Sequence, residues 1–237
     1  MPFFSPLTRQ PKNMALMTIP LMVILCPVTW RKGMVITMKF VLATQNKNKL
    51  KELTAILSDL GVEIVSEAEL GVKIEVEETG ETFAENSLLK ANAVMEATGL
   101  PAIADDSGLC VKAMNGGPGV YSARFGGEGL DDKGRCTLLL QMMHGQTDRS
   151  AYFHSTITCA FPNGDVLQAD GECHGAIAFA PMGDDGFGYN PVFLVPDKRK
   201  TFAQMTLEER SAISHRGNAL RAFRAQLAEY LNNNKQD

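Results

Sequence analysis

The chain has 237 residues, 45% apolar and 21% charged, enough for one large domain or two small lobes around a real core. That balance excludes a disordered chain, and scattered glycine and proline without lasting heptads exclude collagenous and coiled-coil classes. A formal charge of −4 argues against a general nucleic-acid binder, while leaving room for a local basic pocket.

Residues 1–37 differ from the rest. They hold five of eleven prolines, five of twelve methionines, four basic residues and no acidic one. Without them the chain carries 19 basic against 27 acidic residues, a charge of −8. Residues 13–30 are uncharged, which barely reaches membrane-spanning length, and Pro20 and Pro27 interrupt them. Arg9 and Lys12 ahead of this run resemble a signal peptide, but no small-x-small cleavage site follows. The preferred reading is an extension outside the fold, with translation starting at Met34 or Met38.

From Met38 the pattern is that of a domain, residues 38–237. Residues 39–44 read as a short buried strand and residues 48–60 as a helix with the stripe Leu50, Leu53, Leu57 and Leu60, ended by Gly61. A second strand covers residues 62–65. Thr82 and Glu85 form a capping box opening a helix to about Thr98, with Leu88, Ala91 and Met95 facing inward. Residues 101–104 read as a strand ending in Asp105-Asp106-Ser107-Gly108, where Ser107 and Gly108 suit a tight turn with free backbone N–H groups. Residues 131–143 read as a helix. Residues 152–161 and 166–180 read as strands of a hairpin closed by Pro162-Asn163-Gly164-Asp165. Ser214 caps a last helix with the stripe Leu220, Phe223, Leu227 and Leu231. Strand–helix alternation followed by a long hairpin predicts an α/β fold with a mixed sheet flanked by helices. Five widely spaced cysteines without zinc spacing fit reduced thiols in a cytoplasmic protein.

Three features carry chemistry. Lys47, Lys49 and Lys51 lie in or beside the first turn of a helix, whose N-terminus already carries about half a positive charge. His215 and Arg216 repeat the pattern on the last helix. Either these are solvated surface cations, or their partner is an anion such as phosphate. Glu75, Glu77, Glu78, Asp105 and Asp106 are either exposed loop acids or a site for a hard divalent cation with oxygen ligands, Mg²⁺. The loop Gly183-Asp184-Asp185-Gly186-Phe187-Gly188-Tyr189-Asn190-Pro191 is either an anchored surface turn or a place where a ring stacks on a base. No P-loop, dinucleotide fingerprint or nucleophile elbow is present in the sequence.

Four blocks resemble the inosine triphosphate pyrophosphatase family: Thr44-Gln45-Asn46-Lys47-Asn48-Lys49; the run from Glu77-Glu78-Thr79-Gly80 to Glu85-Asn86; Ala104-Asp105-Asp106-Ser107-Gly108-Leu109; and Ser211-Ala212-Ile213-Ser214-His215-Arg216-Gly217. The run from Pro118 to Arg124-Phe125 and the Phe187-Gly188-Tyr189 loop match too, in the same order, over residues 38–230. The resemblance implies an elongated two-lobed α/β fold with an active-site cleft between the lobes, and a homodimer. It implies Mg²⁺-dependent hydrolysis of dITP, ITP or XTP to monophosphate and pyrophosphate, cleansing the nucleotide pool, with no nucleic-acid or membrane partner. Thr44, Gln45, Asn46, Lys47, Asn48 and Lys49, helped by Lys90, would hold the triphosphate. Glu77 and Asp106 would bind the metal with Glu78 and Asp105 close by. Asp106 would accept a proton, and Ser107 would touch substrate. Phe187, Gly188, Tyr189, Asn190, Arg210, His215 and Arg216 would form the base end. Asn190 stands where the family usually has Asp, and Arg210 where it usually has Lys. Two other readings stay open: a phosphomonoesterase with an aspartyl nucleophile, which favours an Asp-x-Asp spacing, and a purine nucleotide-binding module without turnover.

Overall fold

The computed structural model describes residues 38–44, 47–127, 129–184 and 187–234. The proposed N-terminal extension lies outside them. The strands are β1 (Met38–Leu42), β2 (Val62–Ser66), β3 (Ala102–Val111), β4 (Ser150–Ala160), β5 (Val166–Ile177), β6 (Phe193–Val195) and β7 (Lys200–Thr201). The α-helices are α1 (Lys47–Leu57), α2 (Phe83–Thr98), α3 (Asp132–Met142), α4 (Leu207–Ile213) and α5 (His215–Asn233). The strands form one sheet in the order β2-β1-β3-β4-β5-β6-β7. β1 is parallel to β2 and to β3, and every pairing from β3–β4 onward is antiparallel. The expected mixed α/β sheet is what forms. No helix among the described residues is long and apolar enough to cross a membrane.

The first two crossovers run in opposite directions across the sheet. One leads from β1 out to β2 through α1, and the other back past β1 to β3 through α2. Right-handed crossovers taken in opposite directions place their helices on opposite faces. Accordingly Leu53 and Leu57 of α1 pack with Phe40, Leu42, Ile103 and Ile157, where α5 adds Leu220, Phe223 and Leu227. Ala91 and Val94 of α2 pack on the other face, with Val41, Ala102 and Ala104. Gly171 lets α5 lie close on β5: an added Cβ there would stand 2.2 Å from the Ala219 nitrogen.

Local signals hold at the predicted ends. Thr82 and Glu85 make both bonds of the capping box, and Gly99 closes α2 in the left-handed conformation. Ser214 accepts from the Gly217 amide at the start of α5. Gly164 turns the β4–β5 hairpin with φ 91°. Three expectations change. The inward face of α2 is Asn86, Ser87, Ala91 and Val94, whereas Leu88 and Met95 are half-buried. Ser87 reaches the inside because its hydroxyl meets Thr158 of β4 at 2.6 Å. A helix before Ser214, α4, goes unforeseen despite its own capping box of Thr206 and Glu209. Finally, Ser107 and Gly108 do not turn. β3 continues to Val111, pairing residue by residue with β4 from Ala102↔Ala160 to Val111↔Ala151. An unbroken ladder with a neighbouring strand outweighs the weak strand propensity of Asp, Ser and Gly.

Candidate active site

The continuation of β3 decides the geometry of the acids. Successive residues of a strand point to opposite faces. Asp105 therefore lies with Ile103 on the α1/α5 face, and Asp106 with Ala104 on the α2 face.

On the first face Lys49, from the opening turn of α1, donates from Nζ to both Asp105 oxygens at 2.8 and 2.9 Å. Arg216, second residue of α5, reaches Asp105 Oδ2 from Nη2 at 3.1 Å and from Nε at 3.3 Å. Its Nη2 also lies 3.5 Å from the Ser107 hydroxyl. Two helix N-termini that carry cations thus converge on one carboxylate. The anion that those starts call for is in part supplied by the chain itself. Burial alone would raise the Asp105 carboxyl, but Lys49 and Arg216 outweigh it and hold it well below the ordinary aspartate value.

On the second face Lys90 of α2 bridges Glu78 Oε1 at 2.8 Å and Asp106 Oδ1 at 3.0 Å. Arg124 adds a bond to Glu78 Oε2 at 3.3 Å. Burial works against Glu78, yet Lys90 and then Arg124 pull its carboxyl below the usual range. Asp106 goes the other way. Burial raises it, Lys90 opposes this only in part, and the Glu78 charge adds to the rise. Adjacent carboxyls are thereby driven apart, one a fixed anion and one poised to take a proton. Asp106 Oδ2 and Asn86 Nδ2 are each buried without a hydrogen bond in range among the described residues, and the Asn86 side chain beside Asp106 adds a lowering influence on its carboxyl. Thr44, at the end of β1, and Lys90 line one cavity of about 210 Å³ with Glu67, Ile74 and Val76.

Glu77 is exposed, alternating with half-buried Glu78 along an extended segment. Among the described residues no three His, Cys, Asp or Glu side chains gather as a ready cation site. Gln45, Asn46 and the side chains of Lys47 and Asn48 lie outside the described residues.

At the base end the two aromatics separate. Phe187 is 70% exposed. Tyr189 is buried in the core with Val192 and Phe193, its hydroxyl donating to the Ser122 carbonyl at 2.8 Å. Gly188, at φ +55°, donates its N–H to Asp132 at 2.7 Å, and its carbonyl accepts from the Cys136 thiol at 3.3 Å. The buried Asn190 accepts at its carbonyl from the Ala203 amide, and Arg210 reaches the Phe202 carbonyl at 3.4 Å. Phe202 stacks on Phe153, and Phe153 stacks on His215 with centroids 4.7 Å apart. This ring series runs from Phe202, beside the Ala203 amide that bonds Asn190, to the start of α5.

Burial, with Arg216 beside it, pushes the His215 imidazole down from 6.5 to about 3. An imidazole kept neutral in the fold but protonated in the unfolded chain costs stability as pH falls from about 6.5 towards 3, by about 1.4 kcal/mol per pH unit. The urea midpoint of unfolding is expected to drop across that window, and to drop less in His215→Asn. Equal slopes in the two proteins would assign the acid sensitivity to another group.

Asn86, Arg124, Asp132 and Phe153 carry no signal of a site role in the sequence. Asn86 and Arg124 sit inside the matching blocks, but only their neighbours Asp106 and Glu78, distant in sequence, reveal what they touch.

The model of the Ham1 family matches residues 40–226. A dITP/XTP pyrophosphatase of Desulforamulus reducens is 49% identical over 186 residues, which cover 78% of this chain and 92% of the relative. That of Haemophilus influenzae is 48% identical over 193 residues, covering 80% and 98%. The solved structure of a HAM1 protein from Coxiella burnetii superposes with a TM-score of 0.76 at 41% identity, covering 83% of this chain and all of the other. Matched over most of its length in both sequence and fold, the chain belongs to the Ham1 family.

Proposed function

We propose that this chain hydrolyses non-standard purine nucleoside triphosphates (dITP, ITP and XTP) to the monophosphate and pyrophosphate. The relatives' names support the substrate class. The observation that carries the chemistry is the divergence of the adjacent acids: both oxygens of Asp105 are held by cations, while Asp106 has one oxygen on Lys90 and the other buried without a hydrogen bond among the described residues.

Lys49 and Lys90, with Thr44 and its following residues, bind the polyphosphate. Asp106 accepts the proton of the water that attacks the α-phosphorus. Positioning and fixed charge supply most of the rate in phosphoryl transfer. The orphaned Asp106 oxygen and the neighbouring Glu78 carboxylate fit a hard divalent cation. Asp106 and Glu78, with Glu77 as the further candidate, would hold Mg²⁺, which when bound neutralises charge on the leaving pyrophosphate. At the base end Arg216 is a donor only: it can serve a 6-carbonyl and cannot accept from a 6-amine. The same reading makes the protein a homodimer of two-lobed subunits working in the cytoplasm, its fold starting at Met38.

The test is a panel of dITP, XTP, GTP and ATP with Mg²⁺, assaying pyrophosphate and monophosphate together. dITP and XTP are expected to exceed ATP in kcat/KM by about a hundredfold or more. Orthophosphate as first product would favour a phosphomonoesterase. No turnover of any triphosphate would leave a binding module.

A further inference from the structure

Asp105 has no part in the proton transfer assigned to Asp106, yet both its oxygens are taken by cations from two distant helices. Lys49 is 56 residues away in sequence and Arg216 is 111. The Asp105 side chain is 9% exposed and stands on a strand paired on both sides at its base. Lys49 and Arg216, by contrast, are long side chains with much rotamer freedom to lose. Two positive heads held on one carboxylate also repel each other, and the shared anion offsets that repulsion.

We propose that Asp105 is a positioning residue that fixes Lys49, at the polyphosphate end, and Arg216, at the base end, in one aimed cluster on the α1/α5 face. This rests on the function proposed above and deepens it. The arrangement has a distinctive sign. A carboxylate on these cations competes with an incoming anion, so it weakens raw attraction for phosphate. In return it orients both heads before the nucleotide arrives, and misorientation is costly in rate. Asp105 thus serves geometry at the expense of charge. A residue needed only for folding, or a neighbour of the metal, would not behave in this way.

Asp105→Asn keeps the shape and removes the charge. Inorganic tripolyphosphate, titrated calorimetrically into wild type and variant without nucleotide, is expected to bind the variant about threefold or more tightly. In the same preparations kcat/KM for dITP is expected to fall about tenfold or more, and Asp105→Glu to regain part of it. Opposed movements of anion affinity and turnover support the proposal. Weaker tripolyphosphate binding, an unchanged kcat/KM, or activity restored by raising Mg²⁺ overturns it. Circular dichroism and thermal unfolding check the fold. Where the Asn variant does not fold, Asp105→Glu carries the two measurements, with anion binding near wild type and turnover lowered. Failure of both to fold makes Asp105 a structural residue and overturns the proposal. If the wild type hydrolyses no triphosphate, the proposed function fails, while the tripolyphosphate comparison still decides what Asp105 does.

Discussion

Asp106→Asn is expected to lower kcat for dITP by about 10²–10⁴-fold with the fold intact. Asparagine matches the shape of aspartate, but its amide cannot take up a proton and is a poor ligand for a hard cation. The fold does not need the charge. In the wild type burial raises the Asp106 carboxyl above its ordinary 3.8, so the folded state holds this proton more tightly than the unfolded one. The wild type therefore gives up stability as pH rises past the unfolded value, and the variant is spared that cost. Lys90 keeps Glu78 at 2.8 Å as its remaining partner. Steady-state kinetics beside thermal unfolding at neutral pH checks both halves. Near-normal turnover would remove Asp106 from the reaction, and a lower melting temperature would show that its charge serves the fold.

Lys90→Met is the second large effect. Its ammonium stands between two carboxylates, Glu78 and Asp106, and its own affinity for the proton is raised by both against the opposing effect of burial. Without it the two acids repel across a partly buried site. Arg124 still holds Glu78, so the loss of stability is expected to be about 1–3 kcal/mol, less than for a fully buried orphan charge. Lys90 also lowers the Asp106 carboxyl, so removing it sends that carboxyl higher still. The acid limb of the kcat/KM profile is then expected to move to higher pH, with activity at neutral pH down about a hundredfold. An acid limb that stays put or moves down would show that Lys90 does not govern Asp106.

These expectations draw on parts of the chain that were unequally legible. The capping box at Thr82, the glycine stop at Gly99 and the stripe of α5 are local, and a handful of adjacent residues specify each. The family resemblance also named Lys49, Lys90, Asp106 and Arg216 as residues of one site, although Lys90 lies outside the matching blocks. It did not divide that site. Asp-Asp-Ser-Gly has the composition of a turn, and what makes it strand is β4, about fifty residues later. With the turn reading, Asp105 and Asp106 stay neighbours around one cation. With the strand reading they part, and Asp105 belongs to Lys49 and Arg216. Burial of Asn86 and Ser87 was hidden for the same reason, since Gly80 and Thr158 accommodate them and neither lies within the helix.

The chemistry of β3 therefore depends on whether a position count is odd or even. One residue inserted within β3 just ahead of Asp105, with the upstream register kept, would put the first aspartate where the second belongs, beneath Lys90. The second would take the place of Ser107, on the Arg216 side of the strand and away from Lys90. Two inserted residues would restore each side chain's sense but slide the pair about 7 Å along the strand. Substitutions near these acids leave that arithmetic untouched, whereas a single-codon insertion scrambles it at once.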